Sequence, residues 1–176
     1  MDKDQIIRRA CHSAFGSPLV VNNFRGLIAE AIIAEALQSD WKWVSGDWAS
    51  WDFKHESGAR LEVKQSAALQ SWHDGQPKRW SPRFDINDRT GRWEGANWVS
   101  EAGRPACIYV FATHSLINAK TADHRDPRQW NFYIVDERVL PRQKTVGLAG
   151  IARIADPCDF EGLQKAVETM RLTLAK

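Results

Sequence analysis

The sequence predicts one α/β domain over residues 1–176, with a central mixed β-sheet flanked by helices. Three observations lead to this prediction. Helical apolar patterns open and close the chain, and short apolar runs typical of strands occupy its middle. The length is that of a single domain with a full core. A composition with 43% hydrophobic and 26% charged residues is that of a globular protein and excludes a disordered chain.

The two N-terminal helices are predicted from the spacing of their apolar residues. Residues 3–15 place four of these on one face: Ile6, Ile7, Ala10 and Ala14. After the break at residues 16–18, Asn22 or Asn23 can cap a second helix that reaches about Leu37. Because this second helix is apolar nearly all round, we expect it to be largely buried.

The strands follow in the middle of the chain. Residues 41–44 read as a strand and residues 51–67 as a β-hairpin. Residues 70–104 are rich in Gly, Pro, Asp, Asn, Arg and Trp, and only a short extended piece near 84–86 is expected there. The later elements are strands at 105–113 and 130–135, an ambiguous segment at 146–154 and a final helix with an apolar stripe from Phe160 to Leu174. Tryptophans on predicted strands are expected in the core, namely Trp41, Trp43, Trp51 and Trp130.

Several function classes are disfavoured by composition. No apolar run approaches the roughly 20 residues of a membrane helix, and the N-terminus has no signal-peptide core, so we expect a cytoplasmic protein. The three cysteines lack Cys-x-x-Cys spacing, which favours reduced core thiols over disulfides or a zinc ribbon. The five histidines form no metal-binding pattern, and His124 is expected in a solvated loop. Since the net charge is only +2, a DNA partner requires positive charge concentrated locally.

The polar face of the hairpin carries the candidate site. Side chains of a strand alternate between faces, so Glu62 and Lys64 point one way while Leu61 and Val63 point the other. If the turn centres on Ser57, Asp52 lies opposite Glu62. Like charges opposed across a hairpin are destabilising, and a divalent cation, helped by the Lys64 ammonium, would compensate them. The alternative is an ordinary solvated face.

Three further residues bear on this site. Glu30 lies in the most apolar helix, four residues after Gly26, where an unpaired carboxylate is costly. Gln65 extends the polar run directly after Lys64. Asp47 competes with Asp52 for the carboxylate position, but its distance from the turn fits the cross-strand pairing less well.

This order of elements and residues resembles the PD-(D/E)XK nuclease superfamily, which has the restriction-endonuclease-like fold. The matching residues are Gly26, Glu30, Asp52, the run Glu62-Val63-Lys64 and Gln65. The following stretch, QSAALQSW, is also similar to bacterial proteins of unknown function. The resemblance implies that Asp52 and Glu62 bind the metal, that Glu30 is an accessory ligand and that Lys64 activates or positions the attacking water. Gln65 would complete the catalytic set.

A second candidate region interleaves aromatic and basic residues between Trp72 and Trp98. Its tryptophans could stack bases while its cations hold phosphates, the latter being Lys78, Arg79, Arg83, Arg89 and Arg92. The alternative is a long loop pinned by aromatic anchors, with its charges offset by neighbouring acids. A loop of this length inside a compact domain is more often functional.

Together these features predict a Mg²⁺-dependent DNA endonuclease, with Mn²⁺ as an alternative cofactor. A homodimer would be the simplest way to cut both strands of a duplex. Two other interpretations stay open. One is a Trp-rich module that binds nucleic acid or protein without catalysis, and the other is a degenerate nuclease fold without turnover.

Overall fold

The computed structural model describes residues 2–46, 49–73 and 80–175. Its helices are α1 Lys3–Phe15, α2 Asn22–Leu37, α3 Leu148–Ile151 and α4 Phe160–Leu174. Its strands are β1 Trp41–Trp43, β2 Phe53–His55, β3 Arg60–Ala67, β4 Arg83–Asp85, β5 Arg92–Glu94, β6 Asn97–Val99, β7 Ile108–His114, β8 Asn131–Asp136, β9 Thr145–Gly147 and β10 Pro157–Cys158. Short 3₁₀ turns occur at Gln38–Asp40, Pro127–Gln129 and Glu137–Val139.

Six strands form a mixed sheet in the order β1-β2-β3-β7-β8-β10. Strands β3 and β7 pair in parallel, and the other neighbours pair antiparallel. A parallel pair needs a long crossover, which is usually a helix. Here the described parts of the crossover instead contain β4, which pairs with β9, and the hairpin β5–β6. The predicted mixed sheet is confirmed, and its crossover forms one wall of the candidate site.

Each face of the sheet has its own core. Ile108, Val110 and Ala112 of β7 face α2 and α4, which cover one side together. The alternating residues Tyr109 and Phe111 pack on the other side, against β4, β9 and α3. This alternation follows from the period of two along a strand. The helices α2 and α4 therefore share one face, and the candidate site lies on the other.

The N-terminal helices are present but differ in burial from the expectation. Helix α1 buries none of its residues, so its apolar face lies open in the described structure. Helix α2 exposes Phe24 and Leu27 while it buries Arg25, because the guanidinium finds polar partners beneath the helix. Its N-cap is Val21, without a side-chain hydrogen bond, instead of Asn22 or Asn23.

Other sequence expectations hold in part. The ambiguous segment is both strand β9 and helix α3, and hairpin β5–β6 appears where little regular structure was expected. Trp41 and Trp130 are buried and Trp51 packs against the second core, but Trp43 is 38% exposed. The cysteines are free thiols, as predicted, although Cys11 is exposed and does not belong to a core.

None of the helices in the described ranges combines the length and the apolar character that a bilayer crossing requires.

Candidate functional site

The hairpin brings two carboxylates close together at the end away from its turn. Phe53 pairs with Leu61 and Lys54 with Arg60, so the turn centres on Ser57. Asp52 directly precedes β2, and its amide donates to the Leu61 carbonyl at 2.9 Å. Its carboxylate accepts from the Val63 amide and lies near enough to Glu62 for the two charges to interact. Gly58 has a φ of 88°, which a residue with a side chain rarely adopts, so a glycine sets this turn. The predicted turn centre at Ser57 is confirmed, while the predicted pair of Asp52 and Glu62 lies one residue beyond the paired positions of β2 and β3.

The three hairpin residues line one cleft of about 470 Å³. Asp52, Glu62 and Lys64 come from the sheet, on the face away from α2 and α4. The opposite wall comes from the crossover between β3 and β7, with Asp85 and the hairpin β5–β6. The cleft thus exists because an irregular crossover stands above the carboxylate pair where a packed helix would close it.

The surroundings of Asp52 disfavour the charged form of its carboxyl group. Burial, the largest cause, and the negative charges of Glu62 and Glu30 together raise the pKa of Asp52 to about 8. A hydrogen bond from the Val63 amide to Asp52 Oδ2, 2.6 Å long, and the charge of Lys64 work in the opposite direction but do not offset the rise. A carboxylate held near others in a cleft favours its neutral form unless a cation joins it.

Glu62 is compensated by its neighbour along the strand. Lys64 Nζ donates to Glu62 Oε1 at 2.5 Å, and both side chains are about one-fifth exposed. The two side chains meet because residues two apart in a strand share a face. The Lys64 ammonium therefore already neutralises one of the two neighbouring carboxylates without a metal.

Glu30 lies beside this cluster but is held by other groups. Its carboxylate accepts hydrogen bonds from Trp43 Nε1 at 3.0 Å and from the Ser45 hydroxyl. The Ser45 amide in turn donates to the Asp52 carbonyl at 3.1 Å. The negative charge of Glu30 contributes to the raised pKa of Asp52, so the two carboxylates interact electrostatically. Glu30 is thus at the margin of the site and does not line the cleft.

Gln65 points away from the cleft. It pairs with Ala112, whose side chain faces α2, and Gln65 Oε1 accepts from Arg25 Nε at 2.7 Å. The prediction that Gln65 joins the catalytic set is at odds with this geometry. The reason is the alternation of the strand, because Lys64 and Gln65 are adjacent in sequence and must face opposite sides.

The predicted phosphate-binding cations are scattered or already paired. Arg89 and Arg92 line the cleft, but Arg89 binds Asp85 at 2.9 Å and Arg92 binds Glu94 and Glu101. Arg83 lies on β4 and donates to Thr145 Oγ1. Lys78 and Arg79 lie outside the described residues, as does Asp47, the competitor for the Asp52 position. Within the described ranges, these arginines do not form the concentrated positive surface that a DNA backbone would need.

The structure adds two residues to the cleft that sequence reasoning did not single out. Asp85 accepts from the Asn87 amide and from Arg89, and these contacts, against the effect of burial, hold its pKa below the usual value. Tyr109 pairs with Glu62 across β3 and β7, and burial together with that negative charge raises the pKa of its hydroxyl. Only the pairing of distant strands could show that either one reaches the cleft.

His124 corrects another expectation, since it is fully buried instead of solvated. Its ring contacts His114 and Trp130, and its Nδ1 accepts from the Val20 amide at 3.1 Å. Burial lowers the pKa of both histidines, that of His124 to about 4. This cluster lies on the same side of the sheet as Arg25 and Gln65, so it is separate from the cleft.

The donor set can be tested against a divalent metal. In residues 2–46, 49–73 and 80–175, no three or more His, Cys, Asp or Glu side chains form a metal-binding group. Magnesium needs fewer protein ligands than that, because it keeps several waters and is often held by one or two carboxylates. Asp52 and Glu62 offer hard oxygen ligands, and a cation between them would relieve the repulsion that raises the Asp52 pKa. The donors fit magnesium in chemistry and provide a partial ligand set.

Comparison with known proteins gives no further assignment: no protein-family model matches this chain, and no curated protein matches it in sequence.

Proposed function

We propose that the protein is a metal-dependent endonuclease of the PD-(D/E)XK type that hydrolyses DNA phosphodiester bonds. The observation that carries this proposal is the placement of Asp52, Glu62 and Lys64 in one cleft, where the two carboxylates lie near enough to repel each other. Neighbouring carboxylates without a cation are unfavourable. A bound cation therefore explains the two neighbouring carboxylates better than a contribution to the stability of the fold does.

Each residue has a role that its contacts allow. Asp52 and Glu62 would hold Mg²⁺, or Mn²⁺, which takes the same oxygen ligands. A bound metal of this kind lowers the pKa of a coordinated water and offsets charge that develops on the phosphate. Lys64, next to Glu62, can turn its ammonium to a phosphate oxygen or to the attacking water. Glu30, which does not line the cleft, would raise the pKa of Asp52 by repulsion and bind the metal through water.

The topology is compatible with the restriction-endonuclease-like fold that belongs to this proposal. A helix with Glu30 precedes the hairpin with Asp52, Glu62 and Lys64, and β3 then pairs in parallel with β7. A homodimer would place one such cleft at each strand of a duplex. The described arginines are mostly engaged with acids, so DNA as the partner rests on the chemistry of the cleft and less on surface charge.

A non-catalytic binding module is the second candidate, and one observation favours it. The Lys64–Glu62 ion pair neutralises one carboxylate internally, as a site without metal would require. The same pair would also be expected in a degenerate nuclease. DNA cleavage distinguishes an active endonuclease from both the binding module and the degenerate nuclease.

A plasmid-nicking assay in Mg²⁺ and in Mn²⁺ tests the proposal. The wild type should relax supercoiled DNA, while Asp52→Asn and Lys64→Ala should lose activity by about a hundredfold or more, as expected for groups that stabilise charge at a reacting phosphate. Asp52→Asn is preferred to Asp52→Ala because an amide oxygen can still accept from the Val63 amide. Asp156→Asn, an exposed acid outside the cleft, is the matched control. Nicking that is equal in wild type and Asp52→Asn would refute the assigned site.

A further inference from the structure

Two partly exposed tryptophans line the same cleft as the carboxylates. Trp93 and Trp98 pair directly across hairpin β5–β6, with ring centroids 5.4 Å apart. They are 39% and 49% exposed. Large aromatic surfaces left open to water beside a polar cleft are unfavourable for a monomer and are typical of binding sites.

The hairpin that carries these rings is hydrogen-bonded to the segment that precedes Asp52. The Trp93 amide donates to Ser50 Oγ at 3.1 Å, and Ser50 is two residues before Asp52. Trp98 packs on Gly91, where an added Cβ would lie 2.5 Å from Trp98 Cζ2, so only glycine leaves room for the ring. Arg92 ties the hairpin through Glu94 and Glu101. The exposed ring faces are therefore held in position before any ligand binds.

The part of the cleft lined by Trp93 and Trp98 favours binding of nucleobase faces over binding of phosphates. Arg89 and Arg92, which line the same cleft as the tryptophans, are already paired with acids. Flat indole surfaces bind nucleobases by stacking, and this works for every base because each has a π-face. In an intact duplex those faces are covered by neighbouring bases, so only an unpaired base can use the tryptophans.

A neighbouring hollow offers a path for the strand that carries such a base. It measures about 360 Å³, shares Trp93 with the cleft and is lined by Trp51, Lys54 and Glu94 among others. Lys54 makes no ion pair within the described ranges, so its ammonium can meet a backbone phosphate. An aromatic platform with a free cation beside it is how single strands are held.

We propose that Trp93 and Trp98 bind an unpaired nucleobase, so that the protein acts on DNA with a single-stranded, flapped or bulged segment in place of a continuous duplex. This inference rests on the proposed function, which would bring a DNA phosphate to Asp52 and Glu62. The stacking site itself is defined by the tryptophans alone.

Binding measurements without cleavage test the inference. The probes are a fluorescein-labelled single strand of about 12 nucleotides, a length within single-strand site sizes, and the duplex of the same sequence. Ca²⁺ replaces Mg²⁺ to prevent turnover, and fluorescence anisotropy reports binding. The wild type should prefer the single strand, and Trp98→Ala should weaken that binding about tenfold to a hundredfold. Trp98→Phe should retain most of it, because a smaller aromatic ring still stacks.

Phe24→Ala is the matched control, since Phe24 is an aromatic residue of α2 that is 43% exposed and does not line the cleft. It should bind the single strand as the wild type does. Equal binding by wild type and Trp98→Ala, or a wild type that prefers the duplex or binds neither probe, would overturn the inference. If no variant cleaves DNA but Trp98→Ala still loses single-strand binding, the proposed enzymatic function fails and the stacking site stands. If the wild type cleaves and Trp98→Ala binds normally, only the stacking site fails.

Discussion

Two polar clusters lie on opposite faces of strand β3, and they solve the problem of buried charge in different ways. On one face, Asp52, Glu62 and Lys64 line an open cleft with two carboxylates close together. On the other, the buried guanidinium of Arg25 donates to three neutral amide oxygens, those of Asn22, Gln65 and Gln70, at 2.6–2.7 Å. Next to that guanidinium lie two buried histidines, His114 and His124.

In the closed cluster the charge of Arg25 is satisfied by the protein itself, although His114 Nδ1 and His124 Nε2 find no hydrogen-bond partner among the described residues. In the open cluster the repulsion between carboxylates remains. The closed cluster uses side-chain amides to satisfy its charge, and burial lowers the pKa of Arg25 to about 10. The open cluster keeps like charges near each other, and burial together with these charges raises the pKa of Asp52. A buried charge whose hydrogen bonds are all made within the protein contributes to the fold. A charge that is repelled by its neighbours beside a cleft is a candidate for function.

The largest effect on stability is expected in the closed cluster. Arg25→Met keeps much of the side-chain volume but leaves three amide oxygens without their donor, so it should lower the free energy of unfolding by about 2–4 kcal/mol. Urea unfolding at neutral pH measures this loss. Arg83→Met, on an exposed arginine, is the control and should change stability by less than about 0.5 kcal/mol. A near-neutral Arg25→Met would show that the buried network does not support the fold.

Acid should weaken the closed cluster next. The folded-state pKa of His114 and His124 is below the unfolded value, so their contribution to stability is present above about pH 6.5 and lost as the pH falls towards 4. Each group contributes a slope of up to about 1.4 kcal/mol per pH unit in that window. His124→Gln should reduce the slope, and His12→Gln, on exposed α1, should not.

Asp52 changes the pH dependence of the unfolding free energy in the opposite direction over part of the same pH range. The test therefore compares variants with the wild type. Its pKa is raised on folding, and its contribution is therefore present below about pH 4 and lost as the pH rises through about 8. The difference in unfolding free energy between wild type and His124→Gln isolates the histidine. Parallel pH profiles for the two proteins would contradict the role given to burial of His124.

The smallest effects should differ in sign between the two faces. Gln65→Leu removes the partner of Arg25 Nε and should cost about 1–2 kcal/mol. Asp52→Asn removes a repelled charge and keeps an acceptor for the Val63 amide, so the metal-free protein should be as stable as the wild type or slightly more stable at pH 8. Thermal melting of the three proteins without metal measures both changes. A destabilised Asp52→Asn would mean that the carboxylate serves the fold.

Local patterns predicted the hairpin side of this comparison well. The turn at residues 56–58 fixes the register, and alternation then places Asp52 and Glu62 together without any knowledge of the rest of the chain. The same alternation would also have excluded Gln65 from the cleft. Gln65 is predicted in the catalytic set only from the resemblance to a nuclease motif. Adjacent residues of a strand face opposite sides, so Gln65 cannot face the cleft together with Lys64.

The closed cluster could not be predicted because it depends on distant contacts. Arg25, Gln65, His114 and His124 come from four separate segments, and nothing near His124 in sequence indicates burial. The exposed α1 and the hairpin β5–β6 show the same limit. Apolar spacing predicts a helix but not its partner, and very short strands carry too few residues for a pattern.

The most direct test of the central claim is thermal melting with and without Mg²⁺ for wild type and Asp52→Asn. At a hundredfold excess over the dissociation constant, metal binding should add about 2.7 kcal/mol to the wild type, a rise in Tm of roughly 5–10 °C. Asp52→Asn should lose most of that rise, because the pair of carboxylates no longer carries its charge, while Lys64→Ala should retain it. Equal shifts in wild type and Asp52→Asn would contradict a metal site at the hairpin.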